Sequence, residues 1–125
     1  MPLTDQAREI LSDKAIAHVG FVDDRGRPHV SAVWVDVIDG DRIEMNTALG
    51  RKKDALITEG APVAISATRP GNDYEHVLVH GKVVERTTEG ADESIDKLAK
   101  KYLNEDKYPF RQPGEQRLKV IIEPE

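Results

Sequence analysis

Residues 15–37 of the chain, AIAHVGFVDDRGRPHVSAVWVDV, decide its fold class. Over 15–22, every second position holds Ala, Val or Phe, which is the period of a half-buried strand. The segment 23–27 is rich in Asp and Gly and predicts a turn. A second alternating run follows over 28–37. Two such runs joined by a short turn indicate an antiparallel hairpin, and therefore a mainly β protein.

The same two-residue period returns along the rest of the chain. Beyond the hairpin it predicts strands at 42–47, 62–68, 74–86 and 117–123. Asp39 and Gly40 form a hairpin signal before the first of these strands. Gly81, inside the longest strand, predicts a bulge or a sharp bend. We therefore expect six short antiparallel strands in a barrel or a sandwich.

Helical spacing of apolar residues occurs in three places. Thr4 is a candidate N-cap for a helix over 4–13, a second helix is expected between 50 and 60, and a third at 92–103. The polar segment 104–116 contains two prolines and a glycine and predicts a loop. A loop longer than about 12 residues is often functional, so this segment is a candidate lid.

The amino-acid composition narrows the range of functions that the protein can have. The 125 residues fit one domain, 1–125, and a net charge of −5 argues against nucleic-acid binding. The chain has no cysteine, no apolar run near the ~20 residues of a membrane helix, and no signal-peptide pattern, which favours a cytoplasmic protein without membrane contact. With aromatic residues at only 5%, a site shared by two chains of a homodimer is favoured over a large pocket in one chain.

A cationic triplet is the most informative candidate site. Arg51, Lys52 and Lys53 follow Gly50 at the expected start of a helix, in an otherwise acidic protein. Cations are unfavourable at a helix N-terminus, whereas its free N–H groups attract anions. The triplet therefore indicates either a phosphate or carboxylate site, or a solvated basic patch paired with nearby carboxylates.

The segment 26–34 holds the single tryptophan of the chain. Trp34 is explained either by a place in the barrel core or by a site for a flat ring, in which Ser31 and the strand amides meet the edge of a heterocycle. Both interpretations stay open at this stage.

Metal binding and hydrolase chemistry are not predicted. His76 and His80 are four residues apart, but on a strand that separation is about 13 Å, too far to share a metal ion. His29 has no evident carboxylate partner in the sequence. No serine lies in a nucleophile-elbow pattern, and the βαβ unit of a dinucleotide site is missing.

Taken in order, several short motifs resemble one known family. They are AHVG at 17–20, DRGRP at 24–28, NT at 46–47, GRKK at 50–53, VHGKV at 79–83 and TEGA at 88–91. The sequence resembles the pyridoxamine 5′-phosphate oxidase-like split-barrel proteins, and within them the flavin/deazaflavin oxidoreductases of the B type. The resemblance implies a six-stranded antiparallel split barrel of the FMN-binding type, forming a homodimer with its cofactor in a groove between subunits.

The resemblance also implies a cofactor and residues that bind it. The cofactor is the deazaflavin coenzyme F-420, with FMN used by sister branches. Ser31, Val33 and Trp34 would lie along the cofactor ring. Asn46 and Thr47 would lie below its ribityl chain.

The cationic triplet and one tyrosine complete the implied site. Arg51 and Lys53 would bind the phosphate and the acidic tail of the deazaflavin, with Lys52 nearby. Tyr74 would approach from the partner subunit. Leu56 is a departure, because many relatives carry an asparagine there.

Three functions follow from the resemblance. The first is an F-420-dependent reductase that transfers hydride to an electron-poor double bond of a small organic substrate, such as an enone. The second is an FMN-binding flavin reductase or oxidase of the same fold. The third is a non-catalytic module that binds or stores the cofactor. Pyridoxamine phosphate oxidase activity itself is the least favoured, and no catalytic acid is assigned.

Overall fold

The computed structural model describes residues 3–50, 55 and 57–125. Within these residues the chain forms two α-helices, seven strands and a short 3₁₀ helix at Asp39–Asp41. Their bounds are α1 Asp5–Ser12, β1 Ala17–Val22, β2 Pro28–Val33, β3 Val35–Ile38, β4 Arg42–Ala48, β5 Pro62–Arg69, β6 Asn72–Thr87, α2 Ala91–Leu103 and β7 Arg117–Pro124. The helix expected between 50 and 60 falls mostly outside the described residues. Neither α1 nor α2 has the length and apolar character needed to cross a bilayer.

All seven strands belong to one antiparallel sheet that curls into a split barrel. The strand order is β2-β1-β5-β6-β7-β4-β3, so β2 and β3 are the two edges of the sheet. Yet β2 ends at Val33 and β3 begins at Val35, with only Trp34 between them. Because one residue joins the two edges, the sheet must bend until they come close together.

Trp34 divides a strand that the sequence predicts as continuous over 28–37. Residues up to Val33 pair with β1, whereas residues from Val35 pair with β4. The chain passes at Trp34 from one edge of the sheet to the other, so no single hydrogen-bonded ladder can include both halves. This accounts for seven strands where six were expected.

The barrel core is formed by the inward face of each strand. On β1 the residues of the predicted apolar face are buried, and Val19 lies opposite Ile65 of β5, which in turn lies opposite Val79 of β6. Fully burying an aliphatic side chain of this size stabilises the fold by about 1.5–3 kcal/mol. α1 closes the barrel with Ile10 and Leu11, both of which have no exposed surface.

α1 begins as the sequence predicts. The N–H of Ala7 donates to the hydroxyl of Thr4 at 3.0 Å, which satisfies one of the free donors of the first turn. Asp5 follows the cap, where the helix dipole favours a negative charge.

Gly81 has a different role from the predicted bulge or bend. It lies in a regular part of β6, and a Cβ placed on it would meet the backbone oxygen of Glu123 at 2.6 Å. The irregularity in the pairing of β6 with β7 comes later, between Val83 and Glu85. Glycine is needed at position 81 because β7 packs too closely for a side chain.

The turn between β1 and β2 is closed by a buried carboxylate, Asp23. It accepts hydrogen bonds from the backbone N–H groups of Arg25 and Arg27, both at 2.9 Å, and its Oδ2 lies 3.0 Å from Nε2 of His29. The bond to His29, followed by that from the Arg27 backbone, holds the pKa of Asp23 far below its usual range. The sequence analysis missed this partner of His29, because the turn itself brings position 29 back beside position 23.

Candidate functional site

A pocket of about 210 Å³ lies beside Trp34, between the sheet, α2 and the segment 104–116. Most of the lining residues are apolar or aromatic, but the surface that they present to the pocket is mixed polar and apolar. The lining residues are Ile16, Ala32, Val33, Trp34, Asn46, Ile95, Tyr108, Phe110 and Arg117. A concave site that combines apolar side chains with a few convergent polar groups is the usual form of a small-molecule site.

Aromatic rings form one side of this pocket. The ring of Trp34 is stacked on that of Tyr102, with centroids 5.3 Å apart and planes 8° apart. The ring of Tyr108 meets Trp34 edge-on at 6.0 Å, and Phe110 meets Tyr108 in the same way at 5.8 Å. Trp34 therefore stands outside the barrel core, and the sequence interpretation that placed it in the core is wrong.

Tyr102 holds this aromatic wall against the point where the barrel edges meet. Its hydroxyl donates to the carbonyl of Ala15 at 2.6 Å and accepts from the N–H of Val35 at 3.2 Å. Burial raises the pKa of Tyr102, so the hydroxyl keeps its proton at neutral pH. The stacked Trp34 is thereby fixed by contacts to both β3 and the segment before β1.

A buried polar cluster forms the opposite side of the pocket. Nε of Arg117 donates to Oδ1 of Asn46 at 2.9 Å, and Nδ2 of Asn46 donates to the carbonyl of Ala91 at 2.9 Å. Nη1 of Arg117 donates to Glu115 at 3.1 Å. The guanidinium also lies over the Tyr108 ring, 5.0 Å from its centroid, which is a cation–π distance.

The segment 104–116 is fastened over the pocket by one carboxylate of α2. Asp96 accepts the backbone N–H of Tyr108 at 2.8 Å and Nη2 of Arg111 at 3.1 Å. Arg111 also binds Asp92 at 2.8 Å. These bonds place Tyr108 and Phe110 at the pocket.

With this geometry in hand, the sequence can be compared with known proteins. A sequence model of the family described as pyridoxamine 5′-phosphate oxidase matches residues 4–123. The chain belongs to this family. The resemblance drawn from the short motifs is confirmed at that level, although no curated protein matches the sequence.

Several solved structures share the fold of this chain. An F420 reductase superposes with a TM-score of 0.79 at 24% identity, covering 94% of this chain and 92% of the other. An FMN-binding protein from Syntrophomonas wolfei gives a TM-score of 0.67 at 18% identity, covering 96% and 82%. A putative pyridoxamine 5′-phosphate oxidase from Lactobacillus delbrueckii gives 0.63 at 22% identity, covering 98% and 92%. These similarities confirm the split-barrel fold.

The residues assigned to the cofactor by resemblance are only partly brought together. Val33, Trp34 and Asn46 line the pocket. Ser31 lies on the same inward face of β2 as Val33, half-buried opposite Val19 of β1.

The remaining assigned residues lie elsewhere. Thr47 follows Asn46 on β4 but is 1% exposed and points to the opposite face of the strand. Tyr74, near the start of β6, is 94% exposed. Arg51, Lys52 and Lys53 lie outside the described residues.

Sequence analysis missed the residues that complete the pocket from the C-terminal part of the chain. Arg117 was predicted only as the start of the last strand, and Tyr108 only as part of the polar segment 104–116. One signal was available, because Arg117 opens the strand that carries the aliphatic residues Leu118, Val120 and Ile122. In the structure Arg117 is 4% exposed. A buried arginine needs partners, but Asn46 is 71 residues away and no local pattern links the two.

Proposed function

We propose that the protein is a reductase that uses a deazaflavin cofactor and transfers hydride to an electron-poor double bond of a small organic molecule. One observation carries this proposal. Three residues assigned to the cofactor by family resemblance, Val33, Trp34 and Asn46, meet in one pocket with aromatic walls and a hydrogen-bonding corner. Flat conjugated rings with polar edges suit a pocket of this kind.

The described residues fit a cofactor of this class. The wall of the pocket combines the aromatic ring of Trp34, stacked on Tyr102, with the side-chain amide of Asn46, which suits a flat ring that has polar edges. Val33, Trp34 and Asn46 would hold the cofactor ring and its polar substituents. Thr47 has a buried Oγ1 without a hydrogen-bond partner within the described part of the chain, but it lies on the opposite face of β4 from this pocket.

A second copy of the chain would complete the site. The pocket of about 210 Å³ is smaller than the roughly 300–1,000 Å³ of most small-molecule sites. Ile16 and Ala32 line it from the outward face of the sheet, and Val30 and Leu78 on that face are also exposed. We infer a homodimer that covers this apolar face and brings Tyr74 of one subunit towards the pocket of the other.

When bound and reduced, the cofactor supplies a hydride. The residues of this chain contribute binding and orientation, and the ring of Tyr108 with the segment 104–116 keeps water from the pocket. No side chain is assigned as the proton donor, so the proton that completes the reduction is taken from solvent.

FMN is the alternative cofactor, because its phosphate would suit the same cationic triplet. A solved FMN-binding protein shares the fold, which supports this alternative. A non-catalytic cofactor-binding module is the third possibility. Fluorescence titrations of the purified protein with FMN and with F-420 distinguish the cofactors, and turnover of an enone with reduced F-420 distinguishes an enzyme from a module.

The cationic triplet provides the decisive variant. Replacing Arg51 and Lys53 together by alanine should weaken F-420 binding by roughly 10²–10⁴-fold, because hydrogen bonds to charged groups are worth about 1.5–3 kcal/mol each. Binding to the parent should weaken with added salt. The matched control removes two exposed cations elsewhere, Lys14 and Arg25. Binding that stays within twofold in the Arg51→Ala/Lys53→Ala variant would identify the triplet as a solvated patch and refute this site.

A further inference from the structure

We propose that residues 104–114 form a lid over the pocket, and that the ion pairs of Arg111 with two carboxylates of α2, Asp92 and Asp96, are a latch that holds this lid closed. Release of the latch, which salt favours, admits small molecules to the ring of Trp34. The proposal goes beyond the proposed function, since it concerns access to the pocket and not the reaction, and it applies to either cofactor.

The walls of the pocket differ in how firmly they are held. Most lining residues lie on strands, beside a strand end or on α2, whereas Tyr108 and Phe110 lie on a segment without regular secondary structure. From Leu103 to Gly114 every residue is exposed except Tyr108, which is half-buried. A segment that buries so little apolar surface can separate from the fold without disturbing the core, so this wall is the one that can move.

The latch lies along one face of α2. Asp92, Asp96 and Lys100 are four residues apart, so they share that face. Arg111 donates to Asp92 at 2.8 Å and to Asp96 at 3.1 Å, and Nζ of Lys100 lies 3.4 Å from Asp106 near the start of the lid. The side chain of Arg111 is 34% exposed and that of Asp92 65%. Ion pairs as exposed as these stabilise only weakly and are screened by salt, so the latch is easily released.

The two ends of the lid have a backbone geometry that suits hinges. Asn104, which caps α2, has a φ of 60°, and Gly114, shortly before β7, has a φ of 76°. Asn and Gly adopt this left-handed region more readily than other residues. Hinges are a few residues at the ends of elements that absorb a large change in φ and ψ. Rotation at these two positions would therefore move the residues between them as a unit.

Asp96 acts on the pocket through Tyr108. Besides binding Arg111, it accepts the backbone N–H of Tyr108 at 2.8 Å, and the ring of Tyr108 meets Trp34 edge-on at 6.0 Å. Asp96 is therefore a positioning residue, because it fixes that ring without itself lining the pocket. Trp34 is the single tryptophan of the chain, so its fluorescence reports whether the ring covers it.

Quenching of Trp34 fluorescence by acrylamide tests the lid in the purified protein, without any cofactor. Acrylamide is small and neutral, so salt does not change its access to tryptophan through charge. The quenching constant of the parent should rise by about twofold or more between low and high salt, as the latch is screened. Free N-acetyltryptophanamide in the same buffers should show no such rise. A quenching constant of the parent that does not respond to salt overturns the proposal.

Two variants of Asp96 connect this response to the latch. Asp96→Ala removes both the ion pair and the bond to Tyr108. Its quenching constant at low salt should be about twofold or more above that of the parent, with little further rise at high salt. Asp96→Asn keeps an acceptor for the Tyr108 N–H without the charge and should lie between the two. Glu93→Ala, which removes an exposed carboxylate of the same helix, is the matched control and should behave like the parent.

Arg111→Met keeps the test decisive if Asp96→Ala does not fold. Arg111 lies on the exposed lid, so its replacement leaves the barrel core intact, and circular dichroism checks that both variants are folded. This variant should also raise the quenching constant at low salt and reduce its response to salt. Arg25→Met, at an exposed arginine of the β1–β2 turn, is its matched control and should be quenched like the parent.

The outcomes separate the latch from the proposed function. If folded Asp96→Ala or Arg111→Met is quenched like the parent at low salt, the ion pairs do not hold the lid and the inference fails. If Glu93→Ala is quenched as strongly as Asp96→Ala, the effect comes from the net charge of α2, which also refutes the latch. If salt and the variants act as expected but FMN and F-420 do not bind, the latch stands and the reductase proposal fails.

Discussion

The two polar clusters around Asp23 and Asn46 differ in how far apart their partners lie along the chain. Asp23 accepts hydrogen bonds from positions 25, 27 and 29, all within the β1–β2 hairpin. Asn46 binds Ala91, 45 residues away, and Arg117, 71 residues away. The first cluster can form as soon as the hairpin forms, whereas the second requires β4, β7 and α2 to be in place.

The Asp23 cluster therefore stabilises one local element, whereas the Asn46 cluster forms part of the candidate site. The Asp23 cluster holds one turn and lies away from the pocket. The Asn46 cluster forms one side of the pocket and joins three elements that meet only in the folded barrel. Disrupting the second should therefore affect both global stability and ligand binding, while disrupting the first should affect mainly the hairpin.

Asn46→Ala should show the largest effect. It leaves Nε of Arg117 and the carbonyl of Ala91 without their side-chain partner in a buried region. The lost hydrogen bond to the charged guanidinium is worth about 1.5–3 kcal/mol and the bond to the Ala91 carbonyl about 0.5–1.5 kcal/mol, so the free energy of unfolding should fall by about 2–4.5 kcal/mol. Chemical denaturation measures this loss. The control Asn72→Ala, at an exposed asparagine, should cost under about 1 kcal/mol, and equal losses would show that the Asn46 bonds do not stabilise the fold.

Two strand glycines extend the same comparison to packing. Gly81→Ala should destabilise by about 1–3 kcal/mol, because its Cβ would clash with the backbone oxygen of Glu123 and with Ile122. Gly20 lies on β1, where the nearest atoms to a new Cβ are 3.8 Å away. Gly20→Ala should be neutral or stabilise by up to about 1 kcal/mol, because alanine loses less backbone entropy on folding. Thermal unfolding of both variants checks this, and similar melting temperatures would refute the close approach of β7.

Asp23→Asn should have a smaller effect, which depends on pH. The native carboxylate has a lowered pKa, so it stabilises the folded state at pH values above its unfolded pKa of about 3.9. That contribution decreases as the pH falls below about 4. The difference in unfolding free energy between the parent and Asp23→Asn should therefore be smaller at pH 3 than at pH 5.

The matched control for this pH dependence is Asp24→Asn, at the exposed carboxylate next in the same turn. It should show little difference from the parent at either pH. If the difference in unfolding free energy between the parent and Asp23→Asn is the same at pH 3 and pH 6, the bonds to Asp23 do not depend on its charge.

Much of the fold follows from patterns within short stretches of sequence. The alternation over 15–22 placed β1 and its inward face correctly, and Thr4 marked the start of α1. The helix expected at 92–103 is found at Ala91–Leu103. These features depend on side-chain periods and on local hydrogen bonds, which neighbouring residues determine by themselves.

Errors arose where distant elements meet. Periodicity over 28–37 could not show that the chain changes from one sheet edge to the other at Trp34, because the alternation continues across it. In the same way, Gly81 gave a signal for an unusual backbone but not its cause, since the close neighbour Glu123 lies on another strand. The homodimer and the binding of the cofactor by the cationic triplet remain predictions from the sequence.

The sequence by itself determined the class of fold, the order of most elements, the family, and three residues of the pocket: Val33, Trp34 and Asn46. Only the tertiary structure decided that Tyr108, Phe110 and Arg117 complete that pocket. The physical reason is that strand and helix periods are set by contacts over a few residues. A buried guanidinium obtains its partners only when strands that are far apart in the sequence pair, as β4 and β7 do here, which brings the side chain of Arg117 to that of Asn46.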